Sequence, residues 1–264
     1  MQPIQIPVPD VSAWVVRLWW PVLRIGGFIA AAPIVSHSSV PAMVKIALTL
    51  ALAFILAPLV PVPVGLSIFS GAGVVAALEE VLIGVAIALI VQLAFEALDF
   101  AGQSISTSMG LGFATLVDPQ HAAGTPVLGQ LFTMFGLLAY LAVNGHLVLL
   151  GALAGSFQSL PIGGGALERD MLMNIASWGG RIFEAGLLVA LPAVISLVIV
   201  NLALGVVSRA APQLNLFGIG FTITLLSGFF VLIVGIDGLM MGVSSLIESA
   251  LRAARDFTAP AGVH

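Results

Sequence analysis

Few side chains in this sequence could do chemistry, and their spacing argues against most of it. The four histidines, His37, His121, His146 and His264, stand far apart. No His-Glu-x-x-His pair sets two of them on one helix face for zinc. Lys45 is the single lysine, and no glycine-rich phosphate loop precedes it, so nucleotide hydrolysis has no support. There is no cysteine, which removes disulfides, a thiol nucleophile and thiolate metal sites. Glu79 and Glu80 form an acid pair in sequence, but adjacent helical residues point about 100° apart, the wrong geometry for sharing a proton. They are read as marking the entrance of an apolar segment. His146 lies within another such segment and is read as a core or interfacial histidine rather than a proton carrier. Enzymatic, metal and cofactor roles therefore find no residues to carry them.

Two polar stripes are better organised. On a helix Gln92, Glu96, Asp99 and Gln103 fall within about 60° of one another, as do Asn174, Ser177, Arg181 and Glu184. Arg181 and Glu184 can pair at i,i+3. Ionisable groups inside a membrane are costly and face protein or water rather than lipid. Neither stripe is centred in its segment, which favours helix ends projecting beyond the hydrocarbon, in contact with other helices, over an ion pathway.

The elements that must position these residues are set by composition. Of 264 residues 60% are hydrophobic and 8% charged, against roughly 25% charged in ordinary soluble domains. The chain is an integral membrane protein of all-α class. Net charge is −4, and no basic patch is dense enough for nucleic acid. Apolar segments cover about 11–32, 42–60, 72–100, 127–160, 171–208 and 217–252, six in all. The first carries Arg17 and Arg24 and follows no basic leader, so it reads as a retained segment rather than a signal peptide. A bilayer needs about 20 helical residues, and two segments are far longer. Each has an interruption, Asn144-Gly145-His146 in one and Pro192 in the other. Long, broken hairpins packed against other protein fit that pattern better than simple parallel spans.

The stretch from Gly102 to Pro126 suits neither water nor lipid. It contains one acid, Asp118, no Lys or Arg, and the centre Met109-Gly110-Leu111-Gly112-Phe113. Each glycine weakens a helix by about 1 kcal/mol relative to alanine. Non-helical backbone at membrane depth is tolerated only where it is buried in protein or lines a cavity. The spacing predicts a non-helical, protein-enclosed segment.

Six ordered blocks carry a resemblance. They are Ser39-Val40-Pro41 with Val44-Lys45; Met109-Gly110-Leu111-Gly112-Phe113 running to Asp118-Pro119; Asn144-Gly145-His146-Leu147; Leu160-Pro161-Ile162-Gly163; Asn201-Leu202-Ala203-Leu204-Gly205; and Arg209-Ala210-Ala211-Pro212-Gln213-Leu214-Asn215. Over about residues 12–245 the chain resembles the FliR family of flagellar type III export proteins, and the last block is also similar to the corresponding component of virulence secretion systems. One departure is Gly220-Phe221-Thr222, where flagellar members usually continue with proline.

The resemblance implies a single-copy subunit of the export gate in the bacterial inner membrane and flagellar basal body, partly projecting to the periplasmic side. It implies a helical pore built with FliP and FliQ, association with FlhB and FlhA, and passage of unfolded flagellar proteins. It implies that residues 1–165 correspond to a FliP-like unit and 166–264 to a FliQ-like hairpin. It also implies that the loop at about 106–121 plugs the closed pore, with Met109, Gly110, Leu111, Gly112 and Phe113 at its centre. The alternatives are the homologous virulence subunit and a small-solute secondary transporter coupled through Glu96, Asp99 and Arg181; a transporter usually shows matched internal repeats, and none is evident.

Overall fold

A computed structural model describes residues 11–61, 66, 68–112, 127–164, 169–210 and 216–259. Among them the regular structure is entirely helical: α1 (Val11–Ala31), α2 (Ala42–Leu56) with a closing 3₁₀ turn, α3 (Gly71–Ser108), α4 (Val127–Ala142), α5 (Gly145–Ser159), α6 (Arg169–Ala210), α7 (Leu216–Val234) and α8 (Ile236–Phe257). Among the described residues three helical stretches are long and apolar enough to cross a membrane, or up to five if each bent pair counts as one span. With the composition, this makes the chain an all-α membrane protein. The 38 residues of α3 give about 57 Å of helix at 1.5 Å per residue, nearly twice the hydrocarbon thickness.

Two compact units interleave along the sequence, 1–92 with 147–175 and 253–264 in one, 93–146 with 176–252 in the other. In the first, α1 meets α3 at glycines. A Cβ on Gly84 would overlap the carbonyl oxygen of Arg24 and come 2.8 Å from the nitrogen of Phe28, and one on Gly27 would overlap the carbonyl oxygen of Val81. Small residues let helix backbones approach this closely, as packing without a hydrophobic drive from solvent requires. The helix α2 leans on α1 through buried Thr49 and Ala53 and otherwise exposes its apolar side chains, Met43, Phe54 and Ile55 among them. Between α1 and α2 the β-branched Ile34 takes a left-handed φ of 74°, a conformation bulky L-residues rarely hold. Lys45 crosses back over that turn and donates to the carbonyls of Ser36 and His37 at 2.9 and 3.2 Å.

In the second unit the lower half of α3 is clasped by α4 and α6, again over glycines. Gly102 lies against the backbone of Leu128 and Gly129, and Gly186 faces the backbone of Ala97. Phe95 meets Tyr140, and Phe100 meets Phe183, edge to face with ring centroids 5.8 Å apart in both pairs. A 67° bend separates α7 from α8.

Both predicted interruptions can be compared with the backbone. At Asn144 helix α4 ends, with φ 54° there, a left-handed value that asparagine accepts more readily than most residues. At Pro192 the outcome differs: α6 is one continuous 42-residue helix through the proline. Proline removes one backbone bond, and long helical flanks on both sides outweigh that single loss. The glycine-rich stretch also begins later than its sequence indicates, because α3 stays helical to Ser108.

Gly84→Val should strongly destabilise the fold, since the added atoms meet backbone that cannot step aside. Gly151→Ala, whose Cβ meets nothing within 4 Å, should be neutral or stabilise by up to about 1 kcal/mol through helix propensity. Thermal midpoints and protease resistance of the two variants in detergent check the contrast.

Candidate functional site

Two constellations stand out, one in each unit. The first is a buried cation. Arg24 and Glu80 are 0% and 1% exposed, although each lies in an apolar helix. A guanidinium carries five N–H groups and accepts nothing, and here every one is engaged. Nε and Nη2 donate to the two oxygens of Glu80 at 2.7 and 2.8 Å. Nη2 donates also to the carbonyl of Leu160 at 2.8 Å. Nη1 donates to the carbonyl of Ser156 at 2.7 Å and to its hydroxyl oxygen at 3.0 Å. The Ser156 hydroxyl in turn donates to the carbonyl of Leu153 at 2.7 Å. The guanidinium carbon stands 4.3 Å from the centre of the Phe157 ring, within cation–π range. The glycine contact at Gly84 is what brings the α1 and α3 backbones close enough for this fork to close. The cluster fastens α1 to α3 and α5, with all five guanidinium donors used.

This constellation was missed by sequence reasoning, which placed Glu79 and Glu80 together at a segment entrance. Glu79 is partly exposed, whereas Glu80 is sealed inside. The available signal was one arginine and one acid, each within a different apolar run; two such charges can coexist there at low cost only by meeting.

The second constellation forms the base of the glycine-rich loop. At the end of α3 the Leu111 N–H donates to the carbonyl of Ser106 at 3.1 Å and the Gly110 N–H to that of Thr107 at 3.0 Å. With Gly110 at φ 81°, these are the two bonds of a Schellman cap, in which the glycine supplies the left-handed residue. The carbonyl of Ser108 accepts from Asn201 Nδ2 of α6 at 3.1 Å. The Thr224 hydroxyl of α7 stands 3.1 Å from Asn201 Oδ1. Met109 is wholly buried against Gly228 of α7. Gly110, Leu111 and Gly112 are half-buried. Phe113 and the rest of the expected loop to His121 lie outside the described residues.

The polar stripes are only partly drawn together. Asp99 accepts a hydrogen bond from Gln103 one turn on and lies against Gly129, while Glu96 is exposed and Gln92 half-buried. Arg181 and Glu184 are both exposed and form no ion pair with each other. Among the described residues no group of three His, Asp or Glu side chains could hold a metal ion.

Residues 15–250 match the family described as bacterial export proteins, family 1. The chain is similar to the flagellar biosynthetic protein FliR of Escherichia coli (strain K12), 40% identical over 85% of this chain and 86% of the relative. It is 39% identical to that of Pectobacterium carotovorum over 84% and 85% of the two chains. It is 31% identical to that of Bacillus subtilis (strain 168) over 91% and 94%.

Removing one partner of the buried pair should be far worse than removing both. Arg24→Met leaves an unpaired buried carboxylate, with an expected loss of about 3–5 kcal/mol, whereas Arg24→Met with Glu80→Met should recover most of it. A double-mutant cycle on detergent-solubilised protein measures this; equal losses in single and double variants would contradict the assigned lock.

Proposed function

Because this chain belongs to the bacterial export proteins of family 1, we propose that it is a structural and gating subunit of the flagellar protein export gate in the bacterial inner membrane. The observation that carries this reading is the loop base. A glycine-capped helix end, fixed by α6 and α7, launches an apolar run at Leu111, Gly112 and Phe113 that has no Lys or Arg and meets its first acid at Asp118. Such a segment can close a narrow lumen against water and ions without choosing among cargo sequences. Its glycines let the backbone change shape, and its apolar centre carries no charge that would hold a passing chain.

The finer assignment is what the family resemblance implies, and the relatives' flagellar name and the exposed faces of the helices support it. The pore is built with FliP and FliQ, associates with FlhB and FlhA, and passes unfolded flagellar subunits. Residues 1–165 form the FliP-like part and 166–264 the FliQ-like hairpin. Supporting this, α2 and its closing turn are only 11% buried within the chain, and the apolar part of α6 only 17%. Phe69 is 97% exposed. Faces this apolar call for lipid or for other transmembrane helices. The exposed Arg181 and Glu184 are then polar contacts to neighbouring subunits in the assembled gate. The three relatives carry the flagellar name, which supports that system over a virulence one.

Shortening Gly110–Ala114 should raise the permeability of the inner membrane to ions and small molecules in cells holding the assembled gate. Unchanged permeability in a gate proven assembled by co-purification would remove the plug. The chain should also accumulate better with FliP and FliQ than alone; recovery of a stable, fully helical monomer in their absence would count against the shared pore.

A further inference from the structure

Resting on the reading that the loop after α3 closes an export pore, we propose that Met109, Asn201, Thr224 and Gly228 form a fixed socket for that loop. They are positioning residues. Met109 stays in its seat and takes no part in filling the pore.

Burial changes abruptly along this segment. Ile105 and Met109 are 0% exposed, whereas Gly110, Leu111 and Gly112 are half-buried. Met109 occupies a notch that exists only because residue 228 has no side chain. A Cβ there would stand 2.5 Å from Met109 Cγ and Cε and 2.7 Å from Sδ. No carbon can occupy that position without displacing the thioether. A flexible methionine fits such an irregular recess better than a branched side chain.

The polar half of the socket holds the preceding residue. Asn201 gives its amide hydrogen to the Ser108 carbonyl, and its amide oxygen faces the Thr224 hydroxyl, whose single proton is shared with the Gly220 carbonyl at 3.0 Å. Both ends of the Asn201 amide are thereby engaged, which matters on a surface facing apolar surroundings, where an unpaired amide is costly. The Schellman bonds close the helix up to Gly110. Gly110 itself, at φ 81°, lies between the two bonded N–H groups and is held with the helix end.

The chain has no native cysteine, so Met109→Cys with Gly228→Cys introduces one possible bridge. A thiol at 109 takes about the position of the Met109 Cγ, within bridging reach of a Cβ at 228. In the assembled gate the oxidised double variant should export a reporter-tagged flagellar subunit as fast as the reduced one and hold ions equally well. Loss of export on oxidation, restored by reductant, would overturn the proposal by showing that Met109 must leave its seat. Failure of the bridge to form would overturn the seat itself. Gly228→Val and Asn201→Leu, in gates shown to assemble, should each raise ion leakage several-fold. The shortened loop is measured beside them. Leakage from it but from neither socket variant removes the socket and leaves the plug standing; leakage from none removes both.

Discussion

A guanidinium held out of water is the constraint on which the first compact unit depends. An ion of that size has a desolvation penalty of several kcal/mol in a protein interior even after relaxation, so Arg24 can be buried only if its charge is matched and all its donors are used. Glu80 supplies the charge and two acceptors. The other acceptors come from Ser156 and from the Leu160 carbonyl, near the end of α5 where the last helical carbonyls lack intrahelical donors. One requirement therefore fixes the rotation of three helices together. The glycines at 27 and 84 follow from it, because no larger residue lets the α1 and α3 backbones approach within the reach of the pair. An apolar replacement could pack as well, but it would specify rotation less sharply than a five-donor fork.

The second unit solves a different problem, which is how to end a very long helix at a defined place and turn the chain into a loop. Backbone carbonyls at a helix end need donors, and here they come from the turn itself and from Asn201. The apolar counterpart is the Met109–Gly228 contact. Together they separate a rigid base from a segment with glycines at its centre.

Much of this was legible in the sequence, for reasons that differ from residue to residue. Helical class and membrane location followed from apolar runs that no soluble fold could cover. The break at Asn144 was visible because asparagine followed by glycine matches a left-handed residue and a helix restart. Pro192 misled, since a proline signal is local while the continuity of α6 rests on its length. The first residues of the glycine-rich stretch proved helical, because the cap that ends α3 closes only at Gly110 and Leu111 and is braced by Asn201 of α6. Glu80 was read by its neighbour Glu79 when its true partner lies 56 positions earlier.

The sequence by itself determined that the chain is helical, lives in a membrane, and carries a glycine-rich stretch with a single acid and no Lys or Arg. These depend on residue type and short spacing, which transfer energies and backbone sterics read directly. The tertiary structure alone decided that Arg24 meets Glu80 rather than standing exposed, and that Gly228 is a seat for Met109. It also decided that Asn201 holds the end of a helix ninety-three residues earlier. Those outcomes depend on which helix faces which, and in an apolar chain a pattern of hydrophobic residues does not choose among faces. Close glycine contacts and the need to satisfy each buried donor make that choice.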